Sequence, residues 1–317
     1  MSVAAYPAQT SVTYPSFACV LDDQPLFTCP SRVMRRIGAS TASDAVPAPG
    51  LIVTHTDELG LPAQCSRGPI ACTRTSEGTS MPFWLGPEGL HAVQTLLRCG
   101  STSQLPARWR ELLVSAGLAV DPSDTATPCW PPASTAAQNE SEGKCTTFTP
   151  VAAMLHPYHL GAVRLHVRRL LRLGALTNGD LQTPLRWVRY NDPVACWIHG
   201  YLTRRVSQVA GTPVKPSYTY TNVYHDGADL PAHTDREQCE YTLLLCVDCL
   251  PEPPNGVPWP LILETEGARV SVYQGVGDSL LFRGVHIRHS RPRLAAGLVV
   301  TTMLFHFVDH EYRGSLD

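Results

Sequence analysis

No run of apolar residues in this sequence is long enough to cross a bilayer as a helix, so a helical membrane protein is excluded. No charge of one sign dominates either. Twenty-five Lys and Arg stand against 27 Asp and Glu, a formal net charge of -2. That balance leaves no footprint for nonspecific nucleic-acid binding, although a local basic groove stays open. The opening "MSVAAYPAQTS" has neither a basic n-region nor an apolar h-region, and the expectation is a chain without a signal peptide. No repeat period is visible. The 11 cysteines are odd in number and follow no framework of spacings, which points to reduced thiols in a cytoplasmic protein.

What is present is material for one large domain or two small ones: 317 residues, 44% of them hydrophobic. Residues 1–50 are rich in Ala, Ser, Thr and Pro and read as loosely structured, with a strand expected at "LIVTH", Leu51 to His55. Two helical patterns follow, Pro87 to Cys99 and Ala107 to Ala116, the second with a C-cap at Gly117 before a short apolar strand. Helix, helix, strand outlines a small winged-helix-like unit over 51–120, or a helical prop for the next domain. Residues 121–149, rich in Pro, Ser, Thr and Asn, read as a linker or surface loop. Residues 150–317 then hold two helices and a β core. The second helix carries an Asp N-cap at Asp192, Pro193 at its first position and Gly211 at its end.

After Gly211 the period changes. "PSYTYTNVYHDG" alternates, and "YTLLLCVD", "PLILETE", "RVSVYQ", "DSLLFRG" and "GLVVTTMLFHFV" are short strands with no helix between them. The fold class is therefore α+β: helices supporting a closed or sandwiched antiparallel β core.

His233 and Asp235 stand two apart at the mouth of one such strand, where residues i and i+2 share a face. A third ligand would complete a two-histidine, one-carboxylate set, the arrangement that leaves three positions open on non-haem Fe(II). "GDSLLFRGVHIRHSR" offers His286 and His289; an odd separation lets only one of them join. "CVDC", Cys246 and Cys249, has no second pair at zinc-ribbon spacing and reads as structural, as does His306 in "FHF". Arg236, Glu237 and Glu240 line the substrate mouth or form a solvated face, and Trp259 covers one end of the β core.

The stretch "KPSYTYTNVYHDGADLPAHTDREQCEYTLLLCVD", the later "GDSLLFRGVHIRHSR" and the closing "MLFHFV" resemble the 2-oxoglutarate/Fe(II)-dependent dioxygenases of the prolyl-hydroxylase-like branch. The resemblance spans about Asp192 to Val308. It implies a double-stranded β-helix, or jelly roll, and an enzyme that hydroxylates or desaturates a C–H bond, since Asp235 fills the position halogenating relatives leave to chloride. It implies Fe(II) on His233, Asp235 and His289, 2-oxoglutarate as cosubstrate, and Tyr224, nine residues before His233, beside that cosubstrate. The family's Arg or Lys about ten residues past the distal histidine is absent: Leu298, Val299 and Val300 stand there. Arg291, Arg293, Arg283 and Lys215 are the available cations. Arg291 is the choice for the distal carboxylate, because a guanidinium fork binds a carboxylate bidentately. The substrate is a small molecule or a peptide, with 81–120 as a peptide-docking site, and no membrane or nucleic-acid partner is expected. Two alternatives stay open: a jelly-roll iron protein that does not use 2-oxoglutarate, and a catalytically silent binding module.

Overall fold

The computed structural model describes residues 15–22, 44–76, 78–122, 148–179, 182–253, 257–265 and 267–316. Most of the expected loose N-terminal segment and most of the expected 121–149 linker lie outside these residues. Residues 148 and 149 are not linker. They open a strand on the edge of the main sheet.

The front of the chain forms β1 (Val20–Leu21), β2 (Val46–Pro47), β3 (Leu51–His55), β4 (Pro69–Thr75), β5 (Gly78–Thr79), β6 (Phe83–Leu85), α1 (Pro87–Cys99), α2 (Ala107–Ser115) and β7 (Ala119–Val120). The expected strand and both helices are present. Gly117 adopts φ 70 one residue beyond the Ala116 cap, and the Leu118 N–H donates back to the Leu113 carbonyl. A left-handed residue there is natural only for glycine. The winged-helix outline is not what these elements build. The short strand β7 pairs with β2, upstream of both helices, and a sheet of order β1-β6-β4-β3 stands in front of them. β4 and β6 had no sequence signal beyond short apolar runs. Apolar side chains of α1 and α2, among them Leu96, Trp109 and Leu113, are buried in the same core as Phe17 and Trp84.

The rest comprises β8 (Phe148–Ala152), α3 (Pro157–Arg172), β9 (Thr177–Asn178), β10 (Arg186–Tyr190), α4 (Pro193–Ala210), β11 (Val214–Tyr224), β12 (Leu230–His233), β13 (Tyr241–Leu250), β14 (Leu261–Thr265), β15 (Ala268–Val272), β16 (Asp278–Phe282), β17 (Arg288–Arg291) and β18 (Val299–Asp309). A larger antiparallel sheet has the order β8-β16-β13-β18-β11-β10-β9, a smaller one β12-β17-β14-β15. From β11 onward the chain crosses repeatedly between the two, the connectivity a jelly roll requires. The protein is thus mixed α and β, mostly sheet, with four helices among the described residues. No described helix is long and apolar enough to cross a membrane.

Strand β13 shows why its sequence runs apolar instead of alternating. Leu243 and Leu245 point into the large core that the helices share, whereas Leu244 joins Leu280 and Phe282 against Leu261 and Leu263 of the smaller sheet. Both faces of the strand are covered. α4 begins as its caps demand: the Asp192 carboxylate accepts from the Val194 and Ala195 amides, and Gly211 closes the helix at φ 69. α3 is tied to β13 by a buried clasp, Arg164 Nη2 at 2.7 Å from Asp248 Oδ1 and Arg168 Nε at 2.6 Å from Oδ2.

Buried histidines brace this frame, two of them against the front unit. His156 accepts the Tyr158 amide at Nδ1, so its proton sits on Nε2 and is donated to the Ser115 carbonyl at 2.8 Å. His159 meets the Pro82 carbonyl at 3.0 Å, and His199 packs on Phe305 and Phe307 of β18. Burial lowers these histidines, to about 3, 4 and 3 respectively, from the ordinary 6.5. They are neutral in the fold and become charged on unfolding below pH 6.5. The unfolded chain therefore binds more protons, and stability is lost as pH falls from 6.5 toward 4. Each histidine contributes up to about 1.4 kcal/mol per pH unit, so the three together give a slope of about 4 kcal/mol per unit at most. Urea midpoints measured from pH 7 to pH 5 should fall steeply; a flat profile would contradict neutral burial.

Candidate metal centre

The pair of short strands β12 and β17 brings the two sequence-predicted histidines together, because His233 and His289 are direct partners in the antiparallel register. Their rings stand 4.4 Å apart. Asp235 lies just beyond β12 instead of on it. Its backbone N–H donates to the Gly284 carbonyl at 2.9 Å, and this bond, not strand pairing, aims the carboxylate. Asp235 Oδ1 is 3.6 Å from Nε2 of His233 and 3.6 Å from Nε2 of His289. One ligand atom from each residue falls within 4.8 Å of the others.

Both imidazoles are held in the same way. His233 Nδ1 donates to the Pro231 carbonyl at 2.8 Å and His289 Nδ1 to the Ile287 carbonyl at 2.9 Å. Each bond fixes the proton on Nδ1 and turns the Nε2 lone pair inward, as metal-binding histidines require. The third side chain is anchored too: Thr242 Oγ1 donates to Asp235 Oδ2 at 2.9 Å and receives His306 Nδ1 at 3.0 Å. Burial works against the Asp235 charge, but the neighbouring imidazoles of His233, His289 and His306 and the Thr242 hydroxyl outweigh it together and lower the group to about 2. Burial also pulls the His289 imidazole down, favouring its neutral, ligating form. Burial opposes a charge on His233 too, but Asp235 and the Pro231 carbonyl outweigh it and raise that imidazole, so a metal would take the place of its second proton. Two imidazole nitrogens and one carboxylate on a single side fit Fe(II) with room for further ligands.

His286 does not share a strand with His289. It lies exposed in the turn between β16 and β17, its amide donating to the Arg283 carbonyl at 3.0 Å. Only one of the two histidines faces the centre, but a turn separates them where opposite strand faces were expected.

Gly284 had no sequence signal. A Cβ built there would stand 2.1 Å from Asp235 Oδ2 and 2.8 Å from Thr242 Oγ1. Gly284→Ala must therefore push the carboxylate off its aim. It is expected to weaken Fe(II) binding by about ten- to a hundredfold, the range seen when a ligand's supporting partner is lost. Equilibrium dialysis against Fe(II) checks it, with far-UV circular dichroism showing the fold kept.

Of the four cations considered, Lys215 Nζ bonds the Tyr312 carbonyl at 2.7 Å, Arg283 pairs with Glu240 at 2.8 Å, and Arg293 is exposed. Arg291 is buried on the same strand and face as His289. Its guanidinium lies 4.5 Å from the Trp259 ring and donates to the Trp259 carbonyl at 2.9 Å. Among the described residues no carboxylate pairs with it. Tyr224 also packs against Trp259, with ring centroids 4.8 Å apart. Val300 faces Tyr224 in the β11–β18 register, so the apolar "LVV" segment sits beside this pocket without charging it.

Two pocket residues were missed from the sequence. Trp259, read as an end cover, is the platform under Arg291. Arg186 is buried on the unanticipated strand β10, 3.4 Å from the Tyr224 hydroxyl and 5.5 Å from the Tyr220 ring. Neither had a signal beyond residue type.

Neither a protein-family description nor a curated protein matches the sequence. Solved structures similar to the chain include a prolyl-4-hydroxylase of Pseudomonas putida, at 16% identity and a TM-score of 0.44, over 53% of this chain and 95% of that one. A prolyl hydroxylase of Trichoplax adhaerens in complex with a hypoxia-inducible-factor peptide is similar at 17% identity and a TM-score of 0.41, over 51% and 83%. HygX of Streptomyces hygroscopicus, solved with nickel, 2-oxoglutarate and hygromycin B, is similar at 15% identity and a TM-score of 0.39, over 53% and 85%. At these identities and TM-scores, the weight of any functional reading falls on the side chains themselves.

Proposed function

We propose that this chain is a jelly-roll, non-haem Fe(II) dioxygenase that uses 2-oxoglutarate to oxidise a C–H bond of a small molecule or peptide. The observation that carries the reading is the convergence of His233, Asp235 and His289 with a buried Arg291 on the same strand face as His289. His233, Asp235 and His289 would hold the metal through two nitrogens and one carboxylate oxygen. Bound there with 2-oxoglutarate, Fe(II) supplies dioxygen activation, chemistry that no side chain of the site can supply.

The protein's own work is orientation and exclusion of water. The Pro231 and Ile287 carbonyls keep both imidazoles in the ligating tautomer. Thr242 and the Gly284 carbonyl hold Asp235 on aim. Arg291, braced on Trp259, offers a fixed guanidinium to the far carboxylate of 2-oxoglutarate, and the Tyr224 hydroxyl lies alongside. A buried guanidinium without an acidic partner is costly, and a dianionic cosubstrate relieves it. His233 is a quarter exposed at its side chain while His289 is 4% exposed, so access for substrate comes from the His233 side.

Anaerobic titration with 2-oxoglutarate should raise a metal-to-ligand charge-transfer band, and aerobic incubation should release succinate. No band at millimolar 2-oxoglutarate would replace this reading with an iron protein that does not use it. The Arg291 environment favours 2-oxoglutarate over that alternative. His289→Ala should abolish succinate release and weaken metal binding, whereas His286→Ala, altering an exposed turn, should leave both within about twofold, because surface changes away from a site shift energies by about 0.5 kcal/mol or less. Reversed behaviour of the two variants would reject the ligand assignment.

A further inference from the structure

Asp235 stands between two clusters. Toward the smaller sheet lie His233 and His289. Toward the larger sheet lie two buried side chains that the facial site leaves unused, Cys239 and His306. Cys239 ends the single helical turn Glu237–Cys239 that follows Asp235, and His306 sits on β18 opposite Thr242 in the register. One donor atom from each of Asp235, Cys239 and His306 lies within 4.8 Å of the others. His306 Nδ1 meets Thr242 Oγ1 at 3.0 Å, and one of its ring nitrogens is the donor in this set. The sulfur has its own support: Arg236 Nη2 donates to the Tyr218 hydroxyl at 3.0 Å, and that hydroxyl stands 2.9 Å from Cys239 Sγ. With the guanidinium on the phenol's lone pair, the phenol's own proton is directed at sulfur. Hydrogen-bonded partners of this kind orient a ligand and tune its basicity.

We propose that Asp235, Cys239 and His306 form a second cation site, selective for a thiophilic divalent metal, Zn(II) foremost. A thiolate, an imidazole and a carboxylate are the three donor types zinc takes, with a fourth position for water. Thiolate also discriminates against hard cations such as Mg(II) and Ca(II). Binding displaces the Cys239 thiol proton to solvent and leaves no other bond changed in order. Because Asp235 belongs to both sets, metal here draws on the carboxylate that the facial site needs. Zinc then acts as an antagonist of iron loading, through a site that shares only Asp235 with the iron site. The proposal rests on these distances and not on the oxygenase reading.

Co(II) is the probe, since thiolate ligation gives a near-ultraviolet charge-transfer band that nitrogen and oxygen ligands do not. Full-length His289→Ala, whose facial set is broken, should still develop that band, saturating at one Co(II) per chain. The double variant His289→Ala with Cys239→Ser should lack it. Absence of the band in the first, or its survival in the second, overturns the proposal. A second measurement does not depend on the fold of His289→Ala. In the otherwise unchanged protein, Zn(II) should raise the apparent Fe(II) dissociation constant at least tenfold, and in Cys239→Ser this effect should shrink by a similar factor. If zinc displaces iron equally from both, it competes at the facial site alone and the second site does not exist.

Discussion

Replacing Asp235 with Ala is expected to abolish stoichiometric Fe(II) binding while leaving the β fold in place. The two histidines alone offer only imidazole nitrogens, and the substitution removes the carboxylate that lies 3.6 Å from both. Losing a hydrogen-bond partner of a ligand already costs about ten- to a hundredfold in metal affinity, so losing the ligand itself should cost on the order of a thousandfold or more. The fold should survive because the tie that places this loop is the backbone bond from residue 235 to the Gly284 carbonyl, which Ala retains. Thr242 also keeps its contact with His306. Elemental analysis of metal content, with circular dichroism alongside, decides it. Iron retained at one per chain in the variant would mean that the three donors do not act as a set.

Arg291→Met is expected to raise the apparent 2-oxoglutarate dissociation constant roughly tenfold to a hundredfold without changing iron content. A charge-assisted bidentate contact is worth on the order of 1.5–3 kcal/mol, and each 1.4 kcal/mol is about a factor of ten. The methionine keeps apolar contact with Trp259, so the loss falls mainly on charge and hydrogen bonding. The readout is the anaerobic charge-transfer titration. Parent-like binding in the variant would make Arg291 a packing residue and turn attention to Arg186, which reaches the same Tyr224 hydroxyl from β10.

The parts legible in the sequence were those encoded over a few residues. Asp192, Pro193 and Gly211 bounded α4 because caps act within one turn. The His233 and Asp235 spacing placed two donors near one point, although the second is held by Gly284 and not by strand alternation. The strands after Gly211 were visible as apolar runs between turns. Strands β4, β6, β8 and β10 were not, since none alternates apolar and polar residues for long, and β8 pairs with β16, far along the chain.

The support around the site was illegible for a related reason. Thr242 and His306 are 64 residues apart and meet only because β13 and β18 pair in one register. A single irregularity between Cys246 and Asp248 in that same pairing changes which side each residue faces. No count along the chain reveals such a shift. Arg291 could be named from the sequence as a cation two residues past His289. That it is buried on Trp259, without an acidic partner among the described residues, depends on how the loop after β13 returns across the smaller sheet.

By itself, then, the sequence determined the local elements, their caps, and the residue types able to bind metal. Tertiary structure alone decided that His286 turns outward, that Gly284 must lack a side chain beside Asp235, and that Cys239 and His306 stand on the carboxylate's other side. The physical reason is that caps and periodicity are short-range, whereas a site is made by strand register, where a shift of one residue exchanges the inward and outward faces.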